Sequence, residues 1–296
     1  MIDTHIVNAD HFAQGRSRSD AVLVTGCSTG IGRATALALA RAGFPVWASA
    51  RRVETLVELR QAGCRTIELD VTDEQSRTNA VRSIEAEYGA VGVLVNNAGH
   101  GGGGPVEEVL LGLVREVFET NVFGLIGMCQ LVLPGMRARR GGVIVNLGSA
   151  AGLVTPPTGC PYAMSKYALE SLCDALRLEV APFGIQVVLI EPGAVRTQFL
   201  ANSERHQPQG HQGGPYEPFK ASVERMTARA HREGARDVLT AQDVTNVILK
   251  AVTARRPKAR YKVGSQSRLA PVARQLLGDR GWDAFMRRMV PFPVDE

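Results

Sequence analysis

From Ala21 onward, short runs of apolar and β-branched residues alternate with longer stretches of helical periodicity, a rhythm that few architectures accept. The strand-forming runs at 21–25, 46–49, 66–69, 93–96, 143–147 and 186–190 are short and mostly apolar, as strands covered on both faces must be. Helical stretches fall between them at 31–42, 53–62, 74–88, 106–139 and 162–181. This order predicts βαβ units wound by right-handed crossovers into an α/β fold, a parallel sheet with helices on both sides. Further on, 221–232 and 241–254 read as helices, 259–263 as a late strand, and 271–277 and 282–289 as terminal helices. The first 19 residues are polar and unpatterned and predict a flexible arm, and 202–219, crowded with Gly, Pro, Gln and His, reads as a loop. With no separating linker and no repeat, residues 20–296 are expected to form one domain, with a helical substrate lid at about 198–232 and a C-terminal extension at about 258–296.

A chain of 296 residues, 45% hydrophobic, can bury a large core. Its net charge of +5 comes from scattered basic residues without a groove-reading motif, so no nucleic-acid partner is expected. The five cysteines are odd in number, widely spaced and free of CxxC pairs, which fits a reducing cytoplasm better than a disulfide framework or a zinc site. The N-terminus holds Asp3, His5, Asn8, Asp10 and His11 in place of a basic start and an apolar run, so it does not read as a secretory signal. No uninterrupted apolar segment of roughly 20 residues is evident, and no membrane span is expected.

The run at 21–25 leads directly into Gly26-Cys27-Ser28-Thr29-Gly30-Ile31-Gly32 and then an alanine-rich helix. A glycine turn between strand and helix lets backbone N–H groups and the helix N-terminus approach a pyrophosphate without interference from Cβ atoms. A lone glycine pattern would leave an ordinary turn equally open; the flanking strand and helix favour a nucleotide and a doubly wound, Rossmann-type sheet.

The spacing Thr25-Gly26-xxx-Gly30-x-Gly32 resembles the TGxxxGxG turn of the short-chain dehydrogenase/reductase family, and further motifs follow in that family's order. The resemblance implies that Gly26, Ser28, Thr29, Gly30, Ile31 and Gly32 hold the cofactor. It also implies that Asp70, with Val71, meets the adenine, and that Asn97, Ala98 and Gly99 of the Asn-Asn-Ala-Gly string lie against the cofactor. Taken alone, Asp70 reads as a helix cap ahead of Glu74. At the end of the second strand the sequence Ala50-Arg51-Arg52 carries no carboxylate to accept from a ribose, and Arg51 offers a charge-assisted fork to a 2′-phosphate. NADP(H) is therefore expected in preference to NAD(H), although the family's second marker, a basic residue before the second glycine, is replaced by Thr29.

Tyr162 and Lys166 stand four residues apart, on one face of a helix. An isolated YxxxK is an ordinary surface pair, but a cation beside a phenol also stabilises the phenolate and brings its pKa toward neutrality, as proton exchange with an alkoxide requires. Ser149, thirteen residues upstream and just past the fifth strand, can polarise a substrate oxygen. In the family that these residues resemble, Ser149, Tyr162 and Lys166 are catalytic, Tyr162 and Lys166 also meet the cofactor, and Asn121 holds a proton-relay water. Pro192, Gly193, Val195 and Thr197 resemble the PGxVxT turn that contacts the nicotinamide amide. Gly148 departs from the serine that many relatives carry. Motifs of this kind cover 21–199; the glycine turn, the Ala-Arg-Arg string and a late Arg-Pro-Lys-Ala-Arg-Tyr suggest the 17β-hydroxysteroid and retinol dehydrogenase-like branch.

The resulting expectation is an oxidoreductase that exchanges a hydride with a bulky, apolar carbonyl or alcohol, assembled by family analogy as a homodimer or homotetramer. A non-catalytic dinucleotide sensor is the alternative. Val154, Phe199, Leu200, Tyr216, Phe219 and Met226 are candidate pocket residues, with Gly101–Gly104 leaving open space opposite them. His100, His206 and His211 lack metal-ligand spacing, and no metal is expected.

Overall fold

The computed structural model describes residues 21–199, 214–231 and 238–291; the N-terminal arm, most of the first half of the expected lid, Leu200, His206 and His211 lie outside them. The strands are β1 (Val22–Val24), β2 (Val46–Ala50), β3 (Arg65–Glu68), β4 (Val93–Asn96), β5 (Gly142–Leu147), β6 (Ile185–Pro192), β7 (Val195–Arg196), β8 (Leu239–Thr240) and β9 (Arg260–Val263). Seven of them form one parallel sheet in the order β3-β2-β1-β4-β5-β6-β9, and β7 pairs with β8 in a separate parallel ribbon that the sequence did not announce. The helices are α1 (Gly30–Arg41), α2 (Val57–Gln61), α3 (Glu74–Tyr88), α4 (Leu111–Phe118), α5 (Gly124–Ala138), α6 (Cys160–Val180), α7 (Glu217–His231), α8 (Ala241–Thr253) and α9 (Ser265–Met289).

Every residue of β4 and β5 is buried, and alternate side chains of each strand enter two different cores. Leu23, Leu94, Ile144 and Leu189 face α3, α5 and α6, where they meet Ile84, Met128, Val132 and Leu169. Val22, Val24, Val95 and Val145 face the other way and pack with Leu39, Leu59, Val244 and Ile248 of α1, α2 and α8. The period of two along the strands thus explains why a continuous apolar run can serve a helix layer on each side.

The order of strands reverses near the centre of the sheet: β1 pairs with β2 on one side and β4 on the other, all parallel. Open α/β sheets bind ligands at such a switch point, beyond the carboxyl ends of the strands. Thr25-Gly26 and Asn96-Asn97 leave β1 and β4 at that point.

Two local expectations are corrected. The stretch 106–139 is not one helix: a turn precedes α4, and a π-helical turn at Glu119–Phe123 separates α4 from α5. The expected loop ends early, because α7 already begins at Glu217. The two terminal helices are present as expected: α9 is interrupted at Gly278, whose φ of 62° and ψ of 177° break the helical path. Among the described residues, one helical run, Leu111–Ala138, is long and apolar enough to cross a membrane by length and composition. It carries Arg115, Glu116 and Glu119, and it places Leu125, Met128, Cys129, Val132 and Met136 in the core.

Candidate active site

The glycine turn is fitted to the end of β4. Gly26 and Gly30 have φ of 72° and 60°, a left-handed conformation that glycine adopts without strain. A Cβ on Gly26 would lie 2.8 Å from Ala98 Cα, and one on Gly32 would overlap Asn97 Nδ2 and the Gly26 carbonyl. The Thr25 hydroxyl accepts from the N–H groups of Asn97 (3.0 Å) and Ala98 (2.9 Å), while Asn97 Nδ2 donates to the carbonyls of Thr25 and Gly26. Thr29 caps α1 in extended conformation, and no acidic residue occupies the first turn of that helix. Its positive end is therefore open to an anion.

Past β2, Arg51 and Arg52 are exposed beside the same opening. Asp70 does not cap α3: Asp73 does, accepting from Ser76 N at 2.6 Å. The Asp70 carboxylate accepts instead from the backbone and hydroxyl of Thr72, at 2.9 and 2.8 Å, and stands with Leu69, Val71 and Thr72 along the cavity wall.

Ser149 leaves β5 in extended conformation, its hydroxyl accepts from Ala151 N at 3.1 Å, and it stands beside the Tyr162 phenol. Pro161 in the first turn of α6 starts that helix ahead of Tyr162, so phenol and ammonium fall on the same side. Burial pushes the Tyr162 phenol up to about 12, and the Ser149 hydrogen bond pulls it back down. Lys166 Nζ donates to the Leu147 carbonyl at 2.6 Å, and burial brings its pKa down to about 8. Its ammonium stands 5.5 Å from the Tyr162 ring centroid. The expected depression of the tyrosine pKa by the lysine is thus absent, because desolvation governs both groups.

Asn121 lies in the π-helical turn, buried. Its Oδ1 accepts from His100 N (3.0 Å) and its Nδ2 donates to His100 O (2.9 Å) and Ser165 Oγ (3.0 Å). The amide is committed to bracing the loop after β4, so any water on this residue would have to use its backbone. A π turn offers that opportunity, since the extra residue disturbs the regular carbonyl pairing. At Gly148 a Cβ would meet Leu189 Cδ1 at 2.9 Å, so the serine of other relatives would require this leucine to move.

One cavity of about 1580 Å³ runs past these features. Its wall includes Gly26, Ser28, Thr29, Gly30, Ile31, Arg51, Asp70, Val71, Asn97, Ala98, Gly99, Ser149, Tyr162, Lys166, Pro192, Gly193, Val195 and Thr197. Gly32 and Asn121 stand behind the wall. The turn after β6 is tied down by Gly193 N donating to Val263 O (2.9 Å) and Ala194 N donating to Gln266 Oε1 (2.9 Å). Of the expected pocket residues, Val154, Phe199 and Met226 line the cavity, and the Phe199 ring lies 5.4 Å from that of Tyr162. Tyr216 turns instead to Glu107 Oε2, at 2.7 Å. Gly101, Gly102 and Gly103 line the same cavity, although Cβ atoms on Gly102 and Gly103 would crowd Leu113 and the Thr158 carbonyl.

Sequence reading missed the other end of the cavity. Gln266, Ala270, Trp282 and Met286 of α9, and Arg115, Glu116 and Glu119 beside the π turn, also line it. They lie far along the chain from the motifs, and nothing in their spacing points to a pocket.

Four findings relate this geometry to known proteins. The family model for short chain dehydrogenase matches residues 20–208. Estradiol 17-beta-dehydrogenase 1 of Rattus norvegicus is 37% identical over 286 residues, covering 92% of this chain and 80% of the relative. Among solved structures, a short chain dehydrogenase/reductase from Burkholderia phymatum in complex with NAD superposes with a TM-score of 0.73 at 27% identity, covering 95% of this chain and 100% of the other. The closed form of serine dehydrogenase complexed with NADP+ gives 0.71 at 27% identity, covering 83% and 94%. Motifs, sheet order and relatives agree, and this chain belongs to the short-chain dehydrogenase family of nicotinamide-dependent oxidoreductases.

Proposed function

We propose that this protein uses NADP(H) in preference to NAD(H) to move a hydride between the nicotinamide and a carbonyl compound, or the corresponding alcohol, that is bulky and largely apolar, steroid- or retinoid-like. The observation that carries this reading is the meeting of Ser149, Tyr162 and Lys166 with the glycine turn along one cavity. At about 1580 Å³ it exceeds the roughly 300–1,000 Å³ of an ordinary ligand pocket, enough for a dinucleotide and a large second molecule.

The residues present fit the cofactor. The open N-terminus of α1 and the two left-handed glycines would receive the pyrophosphate, Asp70 and Val71 the adenine, Arg51 the 2′-phosphate, and Pro192, Gly193, Val195 and Thr197 the nicotinamide amide. The bound nicotinamide supplies or accepts the hydride. Tyr162 gives its proton to the substrate oxygen in reduction and takes it back in oxidation, while Ser149 holds that oxygen. The Lys166 ammonium would hold the ribose, 5.5 Å from the centroid of the Tyr162 ring. Asn121 keeps the loop after β4 in place.

An apolar substrate is supported by Val154, Phe199, Met226, Trp282 and Met286 along the wall, and by the steroid substrate that the rat relative's name states. The five free cysteines support a reducing compartment such as the cytoplasm. Exposed Phe123, Met164 and Tyr167 near the shallow depression formed by Val114, Phe118, Phe123 and Met164 support a homodimer or homotetramer.

Turnover of a size-graded series of ketones with NADPH and NADH tests the reading. We expect the highest kcat/KM for multi-ring or long-chain compounds with NADPH. A maximum for short hydroxy acids or sugars would remove the substrate assignment and leave the hydride chemistry in place; equal Kd values for the two cofactors would remove the NADP(H) preference.

A further inference from the structure

Behind the catalytic helix lies a group of charges that the chemistry above does not use. Glu191 is the penultimate residue of β6, just before Pro192 and Gly193, and it is fully buried. Neither of its carboxyl oxygens meets a hydrogen-bond donor. It faces another carboxyl, that of Glu170, one helical turn after Lys166 on α6, whose Oε1 is likewise buried without a donor. Two carboxylates have no hydrogen to share; a bond between these two groups requires a proton on one of them.

The surrounding groups decide which. Arg260 of β9 donates from Nε to Glu170 Oε2 at 3.0 Å and pairs through Nη2 with Asp174 Oδ2 at 2.8 Å, whereas its Nε is 3.9 Å from Glu191 Oε1. Arg177 takes the other oxygen of Asp174 at 2.7 Å. Lys262, the register neighbour of Glu191 on β9, is exposed and attracts it weakly. Cys173, on the same helix, is buried with its thiol pushed up to about 11, so it stays neutral. Arg260 therefore serves Glu170, and the proton falls to Glu191, whose pKa is raised to about 7 by burial and by Glu170.

We infer that the Glu170–Glu191 carboxyl pair, joined by one shared proton and anchored through Arg260, is a positioning device that holds the helix carrying Tyr162 and Lys166 against the turn that carries the nicotinamide. The pair bridges α6, one turn beyond Lys166, to the residue immediately before the Pro192-Gly193 turn. When the proton leaves, two negative charges repel inside a dry contact and the two halves of the site separate. The inference rests on the assignment of Tyr162 and Lys166 above, but its first test does not require activity.

That test compares the full-length protein with Glu191→Gln, whose amide can donate to Glu170 in place of the proton, over pH 4.5–8 without cofactor. A carboxyl with a raised folded pKa binds more protons in the native state than in the unfolded chain, so stability falls as pH rises from the unfolded value to the folded one. The thermal midpoint of the wild type should fall relative to Glu191→Gln between about pH 4.5 and about pH 7, and the difference should be constant above that. In the second test, kcat at saturating cofactor should decline above about pH 7 in the wild type relative to Glu191→Gln. Glu191→Ala should lose at least about tenfold in kcat while Glu191→Gln stays within about twofold. Should Glu191→Ala not fold, Glu170→Gln, which donates from the other side, should reproduce the behaviour of Glu191→Gln. A pH-independent midpoint difference, or a glutamine variant as impaired as the alanine one, would overturn the shared proton. Full kcat in Glu191→Ala, or parallel pH profiles of kcat, would overturn the positioning role. Loss of the stability slope in Glu191→Gln together with an active Tyr162→Phe enzyme would spare the pair and refute the catalytic assignment.

Discussion

Tyr162 and Lys166 are perturbed in opposite directions by the same cause. Burial favours the neutral form of each, raising the phenol to about 12 and lowering the ammonium to about 8. The phenol is thus poised as a proton donor, with the Ser149 hydroxyl beside it. Arg51 stands differently: it is exposed at the mouth of the cavity and has no ion-pair partner among the described residues, so its charge is available to a ligand. Replacing it with alanine should weaken NADPH roughly ten- to hundredfold while leaving NADH nearly unchanged, and adding Ala50→Asp should reverse the preference. Titration of both cofactors by intrinsic fluorescence checks this; an unchanged NADPH Kd in Arg51→Ala would assign the 2′-phosphate elsewhere. The motif residues were legible because each belongs to a fixed string. Trp282, Met286 and Gln266 were not, since a pocket closed by a helix over 100 residues downstream of Tyr162 leaves no local pattern.

Helices and strands with strong periodicity fell where the sequence put them: α3 spans Glu74–Tyr88 as read, and β4 spans Val93–Asn96. The π turn at Glu119–Phe123 escaped because the hydrophobic pattern runs through it unbroken, and β7 and β8 escaped because two-residue strands carry no periodicity. Glycines separate the positions that shape the site from those that only fill a helix. Gly32→Ala would drive a Cβ into Asn97 Nδ2 and the Gly26 carbonyl, and should cost about 1–3 kcal/mol together with most cofactor affinity. Gly112→Ala, in α4 with no neighbouring atom in reach, should be neutral or stabilising by up to about 1 kcal/mol. Urea midpoints of the two variants test the contrast, and an undisturbed midpoint in Gly32→Ala would show that the turn can relax away from β4.

At the scale of the molecule, one parallel sheet brings three distant segments to a single opening: the glycine turn after β1, the serine after β5 and the Pro-Gly turn after β6. The proposed assembly uses the opposite resource, the exposed apolar face around Phe123 and Met164. Light scattering should give a mass at least twice that of the 31.8 kDa chain, and Phe123→Asp should reduce it to one chain. A wild type that is already monomeric would assign that face another role. The central claim is that Tyr162 exchanges the proton that accompanies hydride transfer, and it is tested most directly by kcat of Tyr162→Phe with NADPH and the best ketone substrate, alongside the Kd for NADPH. The account predicts a loss of at least about a hundredfold in kcat with Kd nearly unchanged, as expected when a general acid is removed and its ring retained. Retention of more than about a tenth of the wild-type kcat, a barrier change below about 1.4 kcal/mol, would contradict it.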